Sequence, residues 1–162
     1  PQNNKANEAE ADMVARLVQA LIALYGRNGR KIEPAESVGI IVPFRSQIAC
    51  VRSRLQQAGI RGAEQITVDT VECYQGSQRD FIIFSTTISR PYQLDVLSSV
   101  QRIGGADIDR KLNVAITRAR RAFFMIGNRT LLEGSAIYKE LIAASECLNN
   151  KGIKTGKNNL LR

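Results

Sequence analysis

Leu112-Asn113-Val114-Ala115-Ile116-Thr117-Arg118-Ala119-Arg120-Arg121 runs into the apolar stretch Ala122-Phe123-Phe124-Met125-Ile126-Gly127. Leu112, Ala115, Ile116 and Ala119 recur at helical spacing and predict one buried face. Arg118, Arg120 and Arg121 fall at the end of that helix, just before the strand pattern. No acidic residue lies between Asp109 and Glu133, so nothing nearby in the sequence neutralises these guanidinium groups. An unpaired guanidinium held by a packed helix is what a phosphoryl-transfer site uses as an arginine finger. A solvated basic face carries the same pattern, so this stretch alone supports both readings.

Working outward, Val38 to Val42 is an apolar, β-branched run of the kind buried on both faces of a sheet. Pro43 then opens a helix over Phe44 to Ala58, with Ile48, Val51 and Leu55 inward and Gly59 beyond its end. Ile66 to Val71 and Phe81 to Thr87 read as strands, with a polar turn pivoting on Gly76 between them. Near the start, Met13, Val14, Leu17, Leu21 and Leu24 mark a helix over Glu8 to Tyr25, closed by Gly26 and Gly29. Arg27 to Glu36 is a charged loop in which Pro34 bars a helix. Ser89 to Asp107, with Pro91, Gly104 and Gly105, reads as a loop, either merely flexible or gripping a substrate. Gly134 to Leu148 makes a last helix, and residues 149–162, rich in Lys, Asn and Gly, form a disordered tail or a connection. Buried strands alternating with amphipathic helices predict an α/β fold around a mainly parallel sheet.

The chain has 162 residues, one domain's worth, and a formal net charge of +8. Such a balance favours a polyanionic partner, nucleic acid before a membrane surface. Histidine is absent, which excludes zinc sites and histidine-based catalysis within the chain. Cys50, Cys73 and Cys147 are odd in number and form no CxxC pair, so a reducing, cytoplasmic setting without a metal is expected. No apolar run reaches membrane-spanning length and no signal-peptide pattern opens the chain. It starts at Pro1 rather than methionine and is expected to be a piece of something longer.

Three segments carry a resemblance. Ser37 to Gln47, Gln65 to Asp80 with the strand after it, and Leu112 to Arg121 resemble motifs IV, V and VI of superfamily 1 helicases, in that order. Val68-Asp69-Thr70, Tyr74-Gln75-Gly76 and Leu112-Asn113-Val114-Ala115-Ile116-Thr117-Arg118-Ala119-Arg120 are similar to the 5′→3′ branch, which holds RNA-decay helicases and replication helicase-nucleases. The resemblance covers Lys5 to Glu140. It implies a RecA-like domain over residues 1–148, with helices on both faces of the sheet. It also implies ATP and Mg2+ as cofactors, with single-stranded DNA or RNA and an N-terminal RecA-like half of the same protein as partners. A motor needs two such halves, and the other supplies the phosphate loop and an acidic metal-binding pair. The nearest match to that loop, Gly152-Ile153-Lys154-Thr155-Gly156-Lys157-Asn158, has three residues between its glycines instead of four. It ends in Asn where a hydroxyl belongs, and no strand precedes it. The chain therefore reads as the second motor half, unable by itself to hydrolyse ATP.

The resemblance assigns roles residue by residue. Arg118 takes the position of the motif VI arginine that contacts the γ-phosphate. Arg120 is read as holding motif VI against the sheet, with direct ligand contact as the alternative; Asn113 is read as structural, and Arg121 as solvated. Gly76 matches the motif V glycine that lets the backbone approach the phosphate, although a turn needing positive φ would also call for it. Gln78 stands where relatives carry a glutamate that accepts from ribose, and an amide oxygen accepts without the charge. Gln75 would link motif V to nucleotide or to the other half. Lys5 stands near a second phosphate-contacting arginine of relatives, or is simply solvated. For nucleic acid, Arg45, Gln47, Thr67 and Thr70 are the candidates, with Arg52 and Arg54 as more distant charge. Val42 replaces a phosphate-binding threonine. Phe44 and Tyr74 either stack on bases or pack in the core. Two rivals remain: a nucleic-acid-binding module that kept the fold without motor function, and a scaffold for a partner protein.

Overall fold

The apolar run beginning at Val38 becomes the inner strand of the sheet. In the computed structural model, which describes residues 6–74 and 77–145, β1 (Val38–Ile41) is buried along its whole length. Ahead of it lie α1 (Glu8–Arg27) and the single-turn α2 (Pro34–Ser37); after it come α3 (Arg45–Gln57), β2 (Thr67–Asp69) and β3 (Arg79–Ser85). Then follow α4 (Leu94–Leu97), the strands β4 (Val100–Ile103) and β5 (Ala106–Asp109), α5 (Arg110–Thr117), β6 (Ala119–Ile126), α6 (Arg129–Leu132) and α7 over 136–145. Among the described residues the main sheet is parallel, in the order β2-β1-β3-β6.

Alternation along the strands sends their side chains into two cores. Val38 and Ile40 of β1 and Phe81 and Ile83 of β3 meet Val14, Val18, Val51 and Leu55 of α1 and α3 on one face. Ile41, Ile82 and Phe84 meet Leu112 and Ala115 of α5, with Leu97, Leu132 and Tyr138, on the other. Helices thus cover both faces: the α/β arrangement that the strand pattern predicts, and the RecA-like one that the resemblance implies. No helix among the described residues is long and apolar enough to cross a membrane.

Several boundaries differ from the sequence reading. The motif VI helix stops at Thr117, so Arg118 is its C-cap and Arg120 and Arg121 belong to β6. Pro34 opens the helical turn α2 instead of preventing one, because a first-turn position needs no N–H donor. The strand expected to Val71 ends at Asp69, and Val71–Tyr74 is a 3-10 turn. The last helix, expected from Gly134, starts at 136, and a separate helical turn, α6, precedes it. Ser89 to Asp107 holds a 3-10 turn at Pro91–Gln93, α4 and an antiparallel hairpin, β4 with β5. Gly104 and Gly105, with φ of 60° and 88°, make its two-residue turn, which asks for positive φ at both positions.

The buried polar groups include a carboxylate of α1. Glu10, 5% exposed, accepts from the Ser85 hydroxyl at 2.7 Å and the Thr87 N–H at 2.8 Å, at the end of β3. Burial pushes its carboxyl above the ordinary value of 4.5, against the lowering effect of those two bonds. The folded state then keeps a proton that the unfolded chain has released, so stability falls as pH climbs from the ordinary value through the raised one. Glu10→Gln keeps an acceptor oxygen and cannot ionise, so it should flatten this part of the profile. Urea-denaturation midpoints at about pH 5 and about pH 8 measure it, and an unaltered slope in the variant would contradict the assignment.

Candidate functional site

Because the strands are parallel, their first residues share one edge of the sheet and their last residues the other. Thr67, Arg79 and Ala119 open β2, β3 and β6 on the first edge. There the end of α5 meets the start of β3: the Arg79 N–H donates to the Arg118 carbonyl at 3.0 Å, and Gln78 Nε2 donates to the Thr117 carbonyl at 3.4 Å. Arg118 and Gln78, 40 positions apart in sequence, are thereby brought to the same edge through Arg79 and Thr117. Gln75, Gly76 and Lys5 lie outside the described residues.

The three motif VI arginines separate into two kinds. Ala119 pairs with Arg79 and Ala122 with Phe81, so two residues of β6 oppose the single residue Asp80, a β-bulge. The bulge lets both side chains reach one carboxylate, with Arg120 Nε at 3.2 Å and Arg121 Nε at 3.3 Å from Asp80. No acid near in sequence neutralises these arginines, but Asp80, some 40 residues upstream, pairs with Arg120 and Arg121, which corrects the reading of Arg121 as merely solvated. Arg118 has no acidic partner among the described residues, and its Nε is buried without a hydrogen bond. The Nε of Arg79 is likewise buried and unsatisfied, while its terminal nitrogens reach the Gln78 carbonyl at 2.9 Å and the Thr67 hydroxyl at 3.3 Å. Buried unpaired donors of this kind are costly in isolation and suit an anionic group, such as a phosphate, brought to the edge. Asn113 is exposed on α5, so it does not hold the motif by burial.

Arg79 reaches Thr67 by passing across β1 at Gly39. A Cβ on Gly39 would lie 3.0 Å from Arg79 Cγ, 2.9 Å from the Tyr74 hydroxyl and 2.9 Å from Ile82 Cδ1. The fully buried Tyr74 uses this gap: its hydroxyl donates to the Thr67 carbonyl at 2.6 Å and accepts from the Ile40 N–H at 3.1 Å. Tyr74 is thus a core residue, one of the two readings open for it. The sequence reading passes over Gly39, Arg79 and Asp80, although a glycine inside a buried strand signals close approach by a neighbour.

The four nucleic-acid candidates do not stay together. Arg45, exposed at the start of α3, and Thr70, just past β2, lie at the second edge. Thr67 stands on the first edge with Arg79. Gln47 is fully buried: it accepts from the Asn7 N–H at 2.7 Å and donates to the Asn7 carbonyl at 2.9 Å, tying α3 to the start of α1. That corrects Gln47 from a strand contact to an internal tie. Arg54 is paired with Glu8 at 2.8 Å and Asp12 at 3.2 Å, so its charge serves α1. Val42 is buried and donates its N–H to the Asp69 carbonyl. Between Arg45 and α5 stands Glu72, its carboxylate held below the ordinary range first by its own N–H, then by the Thr70 hydroxyl, Lys111 and Arg45. A separate cleft of 660 Å³, lined by Ile22, Arg30, Ile60 and Arg61 among others, contains none of the predicted site residues.

Comparison with known proteins agrees with the motifs. A family model described as an AAA domain matches residues 1–130. Regulator of nonsense transcripts 1 of Dictyostelium discoideum is 31% identical over 85% of this chain and 9% of its own length. The 3'-5' exoribonuclease HELZ2 of Mus musculus is 29% identical over 87% of the chain and 5% of its own length. The DNA polymerase alpha-associated DNA helicase A of Schizosaccharomyces pombe is 29% identical over 78% of the chain and 16% of its own length. The chain thus spans a small part of each of these relatives.

Proposed function

The chain belongs to the AAA domain family, as a superfamily 1 helicase domain, and from that premise we propose that it is the second RecA-like motor half of an ATP-dependent, 5′→3′ helicase. Residues 1–148 are taken as that domain. The observation that carries the reading is the buried, unpaired Nε of Arg118 at the edge where β3 and β6 begin. Arg118 would present its charge to a γ-phosphate, with Gly76, Gln75 and Gln78 beside it and Lys5 as a further cation. ATP and Mg2+ would be held mainly by the N-terminal half, and the bound nucleotide supplies the phosphoryl group whose transfer Arg118 eases. Arg120 and Arg121 keep β6 on β3 through Asp80. At the second edge, Arg45 and Thr70 would meet the backbone of single-stranded DNA or RNA, so that cleft closure at one edge moves a strand at the other. Relatives named for nonsense transcripts, exoribonuclease activity and DNA helicase activity leave both nucleic acids as substrates.

The test is ATP hydrolysis by the complete protein with and without a single strand. Stimulation by the strand supports the motor. Nucleotide-independent strand binding with no hydrolysis would overturn it in favour of a nucleic-acid module without motor function.

A further inference from the structure

The segment between β3 and α5 is built like a platform and is left uncovered. Of the large hydrophobic side chains exposed among the described residues, Tyr92, Val96, Val100 and Ile103 all lie here, against Met13 elsewhere. Their mounting is hydrogen-bonded at both ends. Gln93, 3% exposed, accepts from the Ser89 N–H at 2.7 Å and the Arg90 N–H at 2.9 Å, which closes the turn bearing Tyr92. Asp109, also 3% exposed, accepts from the N–H groups of Ser99, Lys111 and Leu112, locking the base of the hairpin to the start of α5. Tyr138 of α7 is buried against the same carboxylate, whose charge it feels. Hydrogen bonds that fix the backbone at the turn and at the hairpin base reduce the freedom this segment has to lose on binding.

The charges around the platform indicate what it binds. Arg102 stands opposite Asp107 across the hairpin and the Asp109 carboxylate is buried, so the remaining exposed charges are Arg90 and Arg110 against Asp95. Lys111 Nζ donates to the Val96 carbonyl at 3.0 Å, and its charge acts together with that of Arg45 on Glu72, so the platform is continuous with the second edge. An exposed aromatic ring in a segment bounded by exposed Arg90 and Arg110, neither of them in an ion pair among the described residues, fits unpaired bases and their phosphates. We propose that the segment from Arg90 to Ile103 is a second contact for single-stranded nucleic acid, with Tyr92 stacking on a base and Arg90 and Arg110 meeting phosphate. This rests on the nucleic-acid part of the proposed function.

The experiment uses the 162-residue chain and a fluorescein-labelled single-stranded oligonucleotide, read by anisotropy without ATP. Tyr92→Ala should weaken binding by roughly 5- to 100-fold, and Tyr92→Phe, which keeps the ring, by no more than about twofold. A halogenated-pyrimidine oligonucleotide should crosslink to the peptide containing Tyr92. Tyr92 is 59% exposed, so neither variant is expected to disturb folding, and circular dichroism checks this. If Tyr92→Ala binds like the parent while Arg45→Ala weakens binding, the platform is refuted and the strand grip stands. The same holds if Tyr92→Phe loses as much as Tyr92→Ala. If the parent chain binds no strand at all, both the platform and the grip fall.

Discussion

Arg118→Ala in the complete protein should lower strand-stimulated ATP hydrolysis by roughly two decades or more while nucleotide binding survives, since arginine fingers contribute on the order of 10³–10⁵ in rate. The neighbouring arginines are the informative controls. Arg120 and Arg121 each pair with Asp80 on a partly exposed bulge, where such pairs are worth about 0–1 kcal/mol, so either alanine variant should leave hydrolysis within about threefold of the parent. Arg118 differs because its Nε has no partner to lose, and its backbone is fixed between α5 and the Arg79 N–H. Replacing its side chain removes charge without breaking an ion pair of the resting domain. Arg118→Lys should recover only part of the rate, because an ammonium lacks the guanidinium fork. Steady-state kinetics separate these outcomes: a large fall in turnover with a similar KM for ATP is the signature of charge supplied to the transition state. If Arg118→Ala hydrolyses like the parent, or Arg120→Ala is the crippled variant, the finger has been assigned to the wrong residue.

The three arginines also show where sequence stops being informative. Helical spacing places Leu112 and Ala115 inward correctly, but Ala119 satisfies both a helical stripe and the first position of a strand. Pairing with Arg79 decides for the strand, and that partner is 40 positions away. Asp80 is equally remote, so a count of nearby acids could not find it. Gln47 is a different case. Its spacing with Val51 and Leu55, at i+4 and i+8, puts it on the buried stripe of α3, but a polar amide does not mark itself as core. The hairpin, too, leaves a trace in Gly104-Gly105, set between Val100 and Ile103 on one side and Ile108 on the other, though its strands are too short to alternate convincingly. The parallel sheet was the legible part, because β1 and β3 are buried runs whose composition alone marks them.

A double-mutant cycle at Gly39 and Tyr74 should show coupling between them. Gly39→Ala is expected to destabilise the fold by about 1–3 kcal/mol, because its new methyl meets Ile82, the Tyr74 hydroxyl and Arg79 with little room to shift in a packed sheet. Tyr74→Phe should cost about 1–3 kcal/mol, since the Ile40 N–H and the Thr67 carbonyl both lose the hydroxyl inside the core. Removing that hydroxyl also removes one of the atoms that the methyl would strike. The double variant should therefore lose less than the two single losses combined, by about 0.5–1 kcal/mol, in urea denaturation. Additivity within about 0.3 kcal/mol would mean that Ile82 and Arg79 alone set the limit at Gly39. The cycle bears on function as well as stability. Arg79 crosses Gly39 to reach Thr67, and its N–H holds the Arg118 carbonyl. A methyl that pushes Arg79 aside acts on the backbone carrying Arg118, so Gly39→Ala should lower turnover in the complete protein even at temperatures where the domain stays folded.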